Sequence, residues 1–155
     1  MKVVKTRGVT VIELMMAIAI MTVIVAIVYL SFTKLNSSQA LDKGTLLVTS
    51  VLDEARSKTL SSKNDAQYGV YFDDLKVVLF RGAVYSSSDP NNIETFLDRR
   101  IGIKDIALSG GGSSTVFARL TGKASKSGTL KVYLRSATTT TKTINISGTG
   151  IISTN

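Results

Sequence analysis

Hydrophobic positions follow two regimes in the first part of the chain. From Val9 to Leu30 they are nearly continuous, interrupted only by Thr10, Glu13, Thr22 and the half-polar Tyr29. Such a run is long enough to cross a bilayer core of roughly 30 Å as a helix. Beyond it the pattern turns amphipathic. Leu41, Val48, Leu52, Ala55 and Thr59, joined by Leu47 and Val51, recur at helical spacing, while Asp42, Lys43, Thr49, Ser50, Glu54 and Lys58 fall on the other face. No proline precedes Pro90, and Gly44 is the only glycine between Gly8 and Gly69. The pattern therefore predicts one helix from about Val9 to Ser61, its first half in lipid or against other helices and its second against its own domain. Gly44 is the expected place for it to bend, since glycine costs about 1 kcal/mol relative to alanine inside a helix.

From Gln67 the period becomes two. Tyr68, Val70 and Phe72 alternate with Gly69 and Tyr71, Asp73-Asp74 reads as a turn, and Leu75 to Arg81 places Val77 and Leu79 on one face with Val78 and Phe80 on the other. This predicts a hairpin. Ser86 to Asn92 is a loop by composition, Ile93 to Leu108 supplies one or two short strands, and Gly110 to Ser114 is a flexible connector. A second hairpin is expected from Thr115 to Arg135, with Val116, Ala118 and Leu120 facing Leu130, Val132 and Leu134. The threonine tract Thr138 to Thr141 then leads to Ile144 and Ile146, and a Gly148-Thr149-Gly150 turn to a last strand, Ile151 to Ser153. The fold class is α+β: a long N-terminal helix packed against a small antiparallel β domain.

Composition narrows the chemistry. A length of 155 residues allows one folded domain beside the apolar run. The formal charge is +8, but setting aside Lys2, Lys5 and Arg7, which precede Gly8, leaves 16 basic against 11 acidic side chains. That remainder is too dispersed to demand an anionic partner. With no cysteine and no histidine, the chain lacks thiol chemistry, the commonest general base and the commonest transition-metal ligand. An enzyme is not expected, nor a cofactor or a metal site.

The start of the chain carries the functional signal. Basic residues followed by an apolar run resemble a secretory signal peptide, yet the run is longer than a usual h-region and has no A-x-A-like site after it. A signal anchor is the plain alternative, with Lys2, Lys5 and Arg7 held in the cytoplasm. Neither accounts for the order Lys5, Arg7, Gly8, Val9-Thr10-Val11-Ile12-Glu13-Leu14. That order resembles the class III signal of type IV pilins and type II secretion pseudopilins. The resemblance implies that residues 1–8 are a leader cut off between Gly8 and Val9 by a prepilin peptidase, and that the new amine of Val9 is methylated. It further implies that residues 9–30 are a transmembrane and assembly helix, that 31–61 continue it amphipathically, and that 67–155 form the exported β-rich domain. Partners would be other pilin or pseudopilin subunits and the inner membrane. The site residues would be Gly8, Val9, Thr10 and Glu13.

Physics singles out Glu13 independently, because an ionised acid in an apolar span costs several kcal/mol unless it is paired or reaches the headgroups. It lies one helical turn past Val9, so contact with the amine of its own chain is open. The resemblance instead implies pairing with the amine of a neighbouring subunit. Snorkelling of an ordinary anchor is the simpler alternative.

Further along, Leu52 to Ser57, Phe117 to Gly122, Ser127 to Leu130 and Ile144 to Ser147 look like the GspH and FimT branch of minor pilins and pseudopilins. The uninterrupted helix and the lack of cysteine depart from the pattern of major pilins. The Gly148 to Ser153 tail lacks the arginines of the DNA-binding members. Arg99, Arg100 and Lys104, or Lys123, Lys126 and Lys131, are the candidate anion-binding sets, with nucleic acid as the partner they would serve. Asp73 with Asp74, and Asp89 with Asn91 and Asn92, offer oxygens to calcium but read better as turn formers.

Overall fold

The computed structural model describes residues 8–155; the basic lead-in Lys2, Lys5 and Arg7 lies outside them. The chain divides into two compact units, Met1–Asn36 and Ser37–Asn155. Helix α1 covers Val11–Leu60 and contributes to both. In the first unit its stretch Val11–Tyr29 is long and apolar enough to cross a membrane by length and composition, and none of it is buried within the chain.

In the second unit α1 has the two faces that its periodicity predicts. Leu41, Val48, Leu52 and Ala55 are buried in one hydrophobic core, while Asp42, Lys43, Ser50 and Glu54 are exposed. Thr59 is fully buried because its hydroxyl is satisfied twice. It donates to Ala55 O at 2.8 Å and accepts the amide of Tyr68 at 3.0 Å, tying the end of the helix to the first strand.

Among the described residues, eight strands form two antiparallel sheets. One has the order β3-β2-β1-β5, from Ile93–Phe96, Lys76–Arg81, Tyr68–Phe72 and Ser114–Val116. The other has the order β4-β6-β7-β8, from Ile101–Leu108, Gly128–Leu134, Ala137–Ile146 and Ile152–Thr154. Inward residues of both sheets, among them Val70, Phe72, Leu79, Ile103, Leu130, Val132 and Ile144, join the α1 face in one core.

The first hairpin stands as expected, with Tyr68 opposite Arg81 and Phe72 opposite Val77. Its outer face is covered as well. Tyr85, from the following loop, stacks on Tyr71 at 4.1 Å between centroids and meets Phe80 edge-on at 5.5 Å, so Val78 and Phe80 are as buried as Val77 and Leu79. Gly69, directly opposite Phe80, makes this possible, because a β-carbon there would run into the Phe80 ring and Thr115 O.

The second hairpin does not form as expected. Residues 115 and 116 belong to β5, paired with β1, while β6 lies between β4 and β7. Only an isolated bridge, Phe117 to Ala124, falls inside the expected pairing. The reason is a turn: Gly122 N donates to Ala118 O and Ala118 N to Lys123 O, each at 2.8 Å. Leu120 sits within it at φ 66°, which no strand can include. Phe117 becomes the fully buried residue, while Leu120 is 83% exposed. The turn thus leaves Val116 and Phe117 buried and puts Ala118 and Leu120 outside.

Two smaller differences follow the same logic. The threonine tract belongs to β7, pairing Tyr133 with Thr141. Helical structure runs unbroken through Gly44, which is buried, and Ile101 occupies the space that a β-carbon would need.

Candidate functional site

Gly8, Val9 and Thr10 precede the first turn of α1 and are exposed. A β-carbon placed on Gly8 would meet nothing within 4 Å, so the chain itself does not require glycine there. The Gly8–Val9 bond is accessible in non-helical backbone, which is how a peptidase needs to find it.

Thr10 caps the helix. Its hydroxyl accepts the amide of Glu13 at 3.3 Å, and its carbonyl accepts the amide of Leu14 at 3.1 Å. Thr10-Val11-Ile12-Glu13 therefore has the spacing of a capping box, with the acid in the first turn, where the helix dipole favours negative charge. This was legible in the sequence, since a threonine followed three residues later by an acid before an apolar run is a helix-start signal. It gives both residues a local role. Cleavage after Gly8 would leave Thr10 and its cap intact. The Glu13 side chain is exposed, free to meet a partner from outside the chain.

Residues 4–29 match the prokaryotic N-terminal methylation motif. No curated protein matches the chain at a significant level. Among solved structures, the crystal structure of the type IV minor pilin FimU from Pseudomonas aeruginosa strain PAO1 is similar, with a TM-score of 0.52 and 13% identity. The alignment covers 76% of this chain and 91% of that one. At this identity the likeness shows the fold, and the motif places the methylation signal at the head of it. The chain carries a prokaryotic N-terminal methylation motif at the head of a pilin-like fold.

The structure redraws the anion-binding sets of this chain. Arg99 and Arg100 lie in the turn between β3 and β4, and Arg100 forms an ion pair with Asp98 at 2.7 Å. That contact, chiefly the side-chain hydrogen bond from Arg100 and then its backbone amide, holds the Asp98 carboxyl well below the usual carboxylate range. Lys104 is not beside them in function. It is the cross-strand partner of Lys131, donates to Thr138 O at 2.7 Å and lies 5.1 Å over the Tyr133 ring. Lys131 is paired with Asp105 at 3.0 Å, Lys126 is tied to Gly111 O at 2.6 Å, and Lys123 is exposed in a turn. Neither set forms a cluster of uncommitted cations.

The carboxylates offered to calcium are likewise engaged. Asp74 accepts Arg135 at 2.6 Å and the Tyr133 hydroxyl at 3.3 Å, joining the turn of the first hairpin to the other sheet. Asp89 accepts both the backbone and the side-chain amide of Asn91, which lowers its pKa and makes it a turn former. Sequence reasoning missed the Asp74 to Arg135 link because its partners are distant along the chain.

Proposed function

We propose that this pilin-like subunit is a minor pilin or pseudopilin, cut between Gly8 and Val9 by a prepilin peptidase and methylated on the amine of Val9. It then assembles through its N-terminal helix into a type IV pilus or a type II secretion pseudopilus. On this reading residues 1–8 are the leader, 9–30 the membrane and assembly helix, 31–61 its amphipathic continuation and 67–155 the exported domain. Before assembly the chain is a single-pass inner-membrane protein, oriented by Lys2, Lys5 and Arg7 on the cytoplasmic side. It is a structural subunit without catalytic activity of its own.

One observation carries the reading: the methylation motif over residues 4–29 ends in an apolar helix with no buried residue that leads into a pilin fold. An unpartnered apolar helix needs lipid before assembly and other helices after it. Glu13, one turn into that helix, supplies the carboxylate for the amine of a neighbouring Val9. Leaving either charge unpaired in a helix bundle is costly, so the pair selects register and partner. Similarity to a minor pilin and the Leu52 to Ser57 pattern support the GspH and FimT branch.

Mass spectrometry of the chain recovered from sheared filaments tests this. The expected mass is that of residues 9–155 plus one methyl group; the full-length mass would overturn the processing step.

A further inference from the structure

The sheet β3-β2-β1-β5 ends in β3, which pairs with a neighbour on one side only. The ladder fixes where its remaining backbone groups point. Leu97 N donates to Leu75 O at 2.9 Å, one step beyond the pair Lys76 and Phe96. In an antiparallel ladder the groups of every second residue face the same neighbour, so Ile93, Thr95 and Leu97 turn theirs toward β2. Glu94 and Phe96 turn theirs away. Two amides and two carbonyls thus line the outer edge, and no hydrogen bond reaches them among the described residues. The edge at β4, in contrast, is met by the first hairpin, where Asp74 O accepts the amide of Ile103 at 3.1 Å.

An open edge invites another strand unless charge, proline or a bulge guards it. In β3 there is no proline, and its register against β2 is regular. Its one ionic side chain, Glu94, is neutralised by Lys76 of β2 at 2.5 Å. The same ammonium lies 5.8 Å over the Phe96 ring. Apolar surface stays uncovered beside the free groups: Phe96 is 66% exposed on the outer face of the sheet and Ile93 49% exposed on the core face.

Symmetry selects the occupant. An antiparallel copy of the same strand satisfies all four outward groups when Glu94 of each chain lies opposite Phe96 of the other. The two-fold axis then passes between the two Thr95 residues. On the outer face each Glu94 comes beside the Phe96 ring of the other copy and the Lys76 ammonium above it, so opposite charges meet across the axis. On the core face Ile93 comes opposite Leu97 of the other copy. Any extended strand can take the backbone bonds; the alternation of Glu94 and Phe96 beside one lysine matches this strand to itself. We propose that β3 is an interface between two copies of this chain, joining two four-stranded sheets into one of eight strands in that register.

The chain has no cysteine, so an introduced disulfide reports the contact. In this register the two Thr95 residues form a non-hydrogen-bonded pair with α-carbons about 4.5 Å apart, within the range that a disulfide spans. In the full chain in detergent micelles, Thr95→Cys is expected to cross-link to itself under mild oxidation at least tenfold faster than Lys123→Cys, a substitution in an exposed turn. Adding Phe96→Glu, which sets a carboxylate against Glu94 of the other copy on both sides of the axis, should slow the cross-link at least tenfold. The apolar helix also gathers copies in a micelle, so the unsubstituted chain is followed by hydrogen exchange as the number of chains per micelle is raised. The amides of Glu94 and Phe96 should gain protection while the rest of the sheet does not change. Cross-linking of Thr95→Cys no faster than that of Lys123→Cys, a rate untouched by Phe96→Glu, or exchange at Glu94 and Phe96 independent of chain density would overturn the proposal.

Discussion

Gly44→Ala sets helix propensity against packing. On a free helix surface the change stabilises by about 1 kcal/mol. Here the new methyl overlaps the Cδ1 of Ile101, with Ile101 Cγ1 at 3.5 Å and Val132 Cγ1 at 3.9 Å behind it. Ile101 and Val132 are both fully buried, so Cδ1 has no empty space to rotate into, and overpacking of this kind costs roughly 1–3 kcal/mol. The net expectation is a loss of about 1 kcal/mol, a lowering of the melting temperature by several degrees for a unit of this size. Circular dichroism of the full chain in micelles reads it. Ile101→Val removes the clashing methyl. Alone it should cost about 1 kcal/mol, but combined with Gly44→Ala it should cost clearly less than the sum, a coupling that a double-mutant cycle isolates. Stabilisation by Gly44→Ala, or strict additivity, would refute the close-approach account and return Gly44 to the role of a tolerated helix defect.

Gly8→Val should leave the leader attached, seen as retention of residues 1–8 by mass, while the fold stays unchanged because the position touches nothing. Glu13→Gln and Glu13→Ala separate two roles: glutamine keeps the spacing of the capping box but not the charge, so equal failure of both variants to enter filaments marks the charge, whereas assembly of the glutamine variant marks the cap. At acid pH the sign follows from Asp98. Its folded pKa lies below the ordinary 3.8, so the Arg100 contact contributes fully above that value and is lost as pH falls through the depressed one. Because the pair is largely exposed, the effect should be small and reduced by salt. A carboxyl-carbon NMR titration should place the midpoint of Asp98 below the ordinary 3.8, and Arg100→Gln should raise it.

Where a pattern is local, sequence reading succeeds. The core face of α1 and the register of β1 against β2 follow from helical and alternating periods, because burial imposes both on adjacent residues. The second hairpin fails because an alternating segment announces that it is a strand without naming its partner. Val116 and Leu130 both enter the β assembly, but in different sheets, and the turn after Phe117, closed by Gly122 N on Ala118 O, breaks the alternation between them. The close approach of Ile101 to Gly44 is unmarked for a related reason, since the two residues are distant along the chain. The capping box at Thr10 is local and readable, since a threonine three residues before an acid is a helix-start signal.

The basic excess also takes on a different meaning in three dimensions. Among the described residues seven ion pairs consume most of the acids, and the cations do further work on backbone carbonyls. Arg56 holds Gly122 O, Arg81 holds Asn64 O, Lys104 holds Thr138 O, Arg119 holds Asp65 O, Lys126 holds Gly111 O and Arg135 holds Ile101 O. These carbonyls lie in loops, in the short 3-10 turn Lys63–Asp65 or near the start of a strand. A chain without cysteine has no covalent means of fixing such segments. A cationic donor on a carbonyl is stronger than a neutral one and, unlike an ion pair, leaves the positive charge uncancelled. The excess of lysine and arginine over acids thus goes in part into tying loops through side chains in a domain without disulfides. It requires no anionic partner, and a polyanion binding here would have to compete with the loops for the same donors.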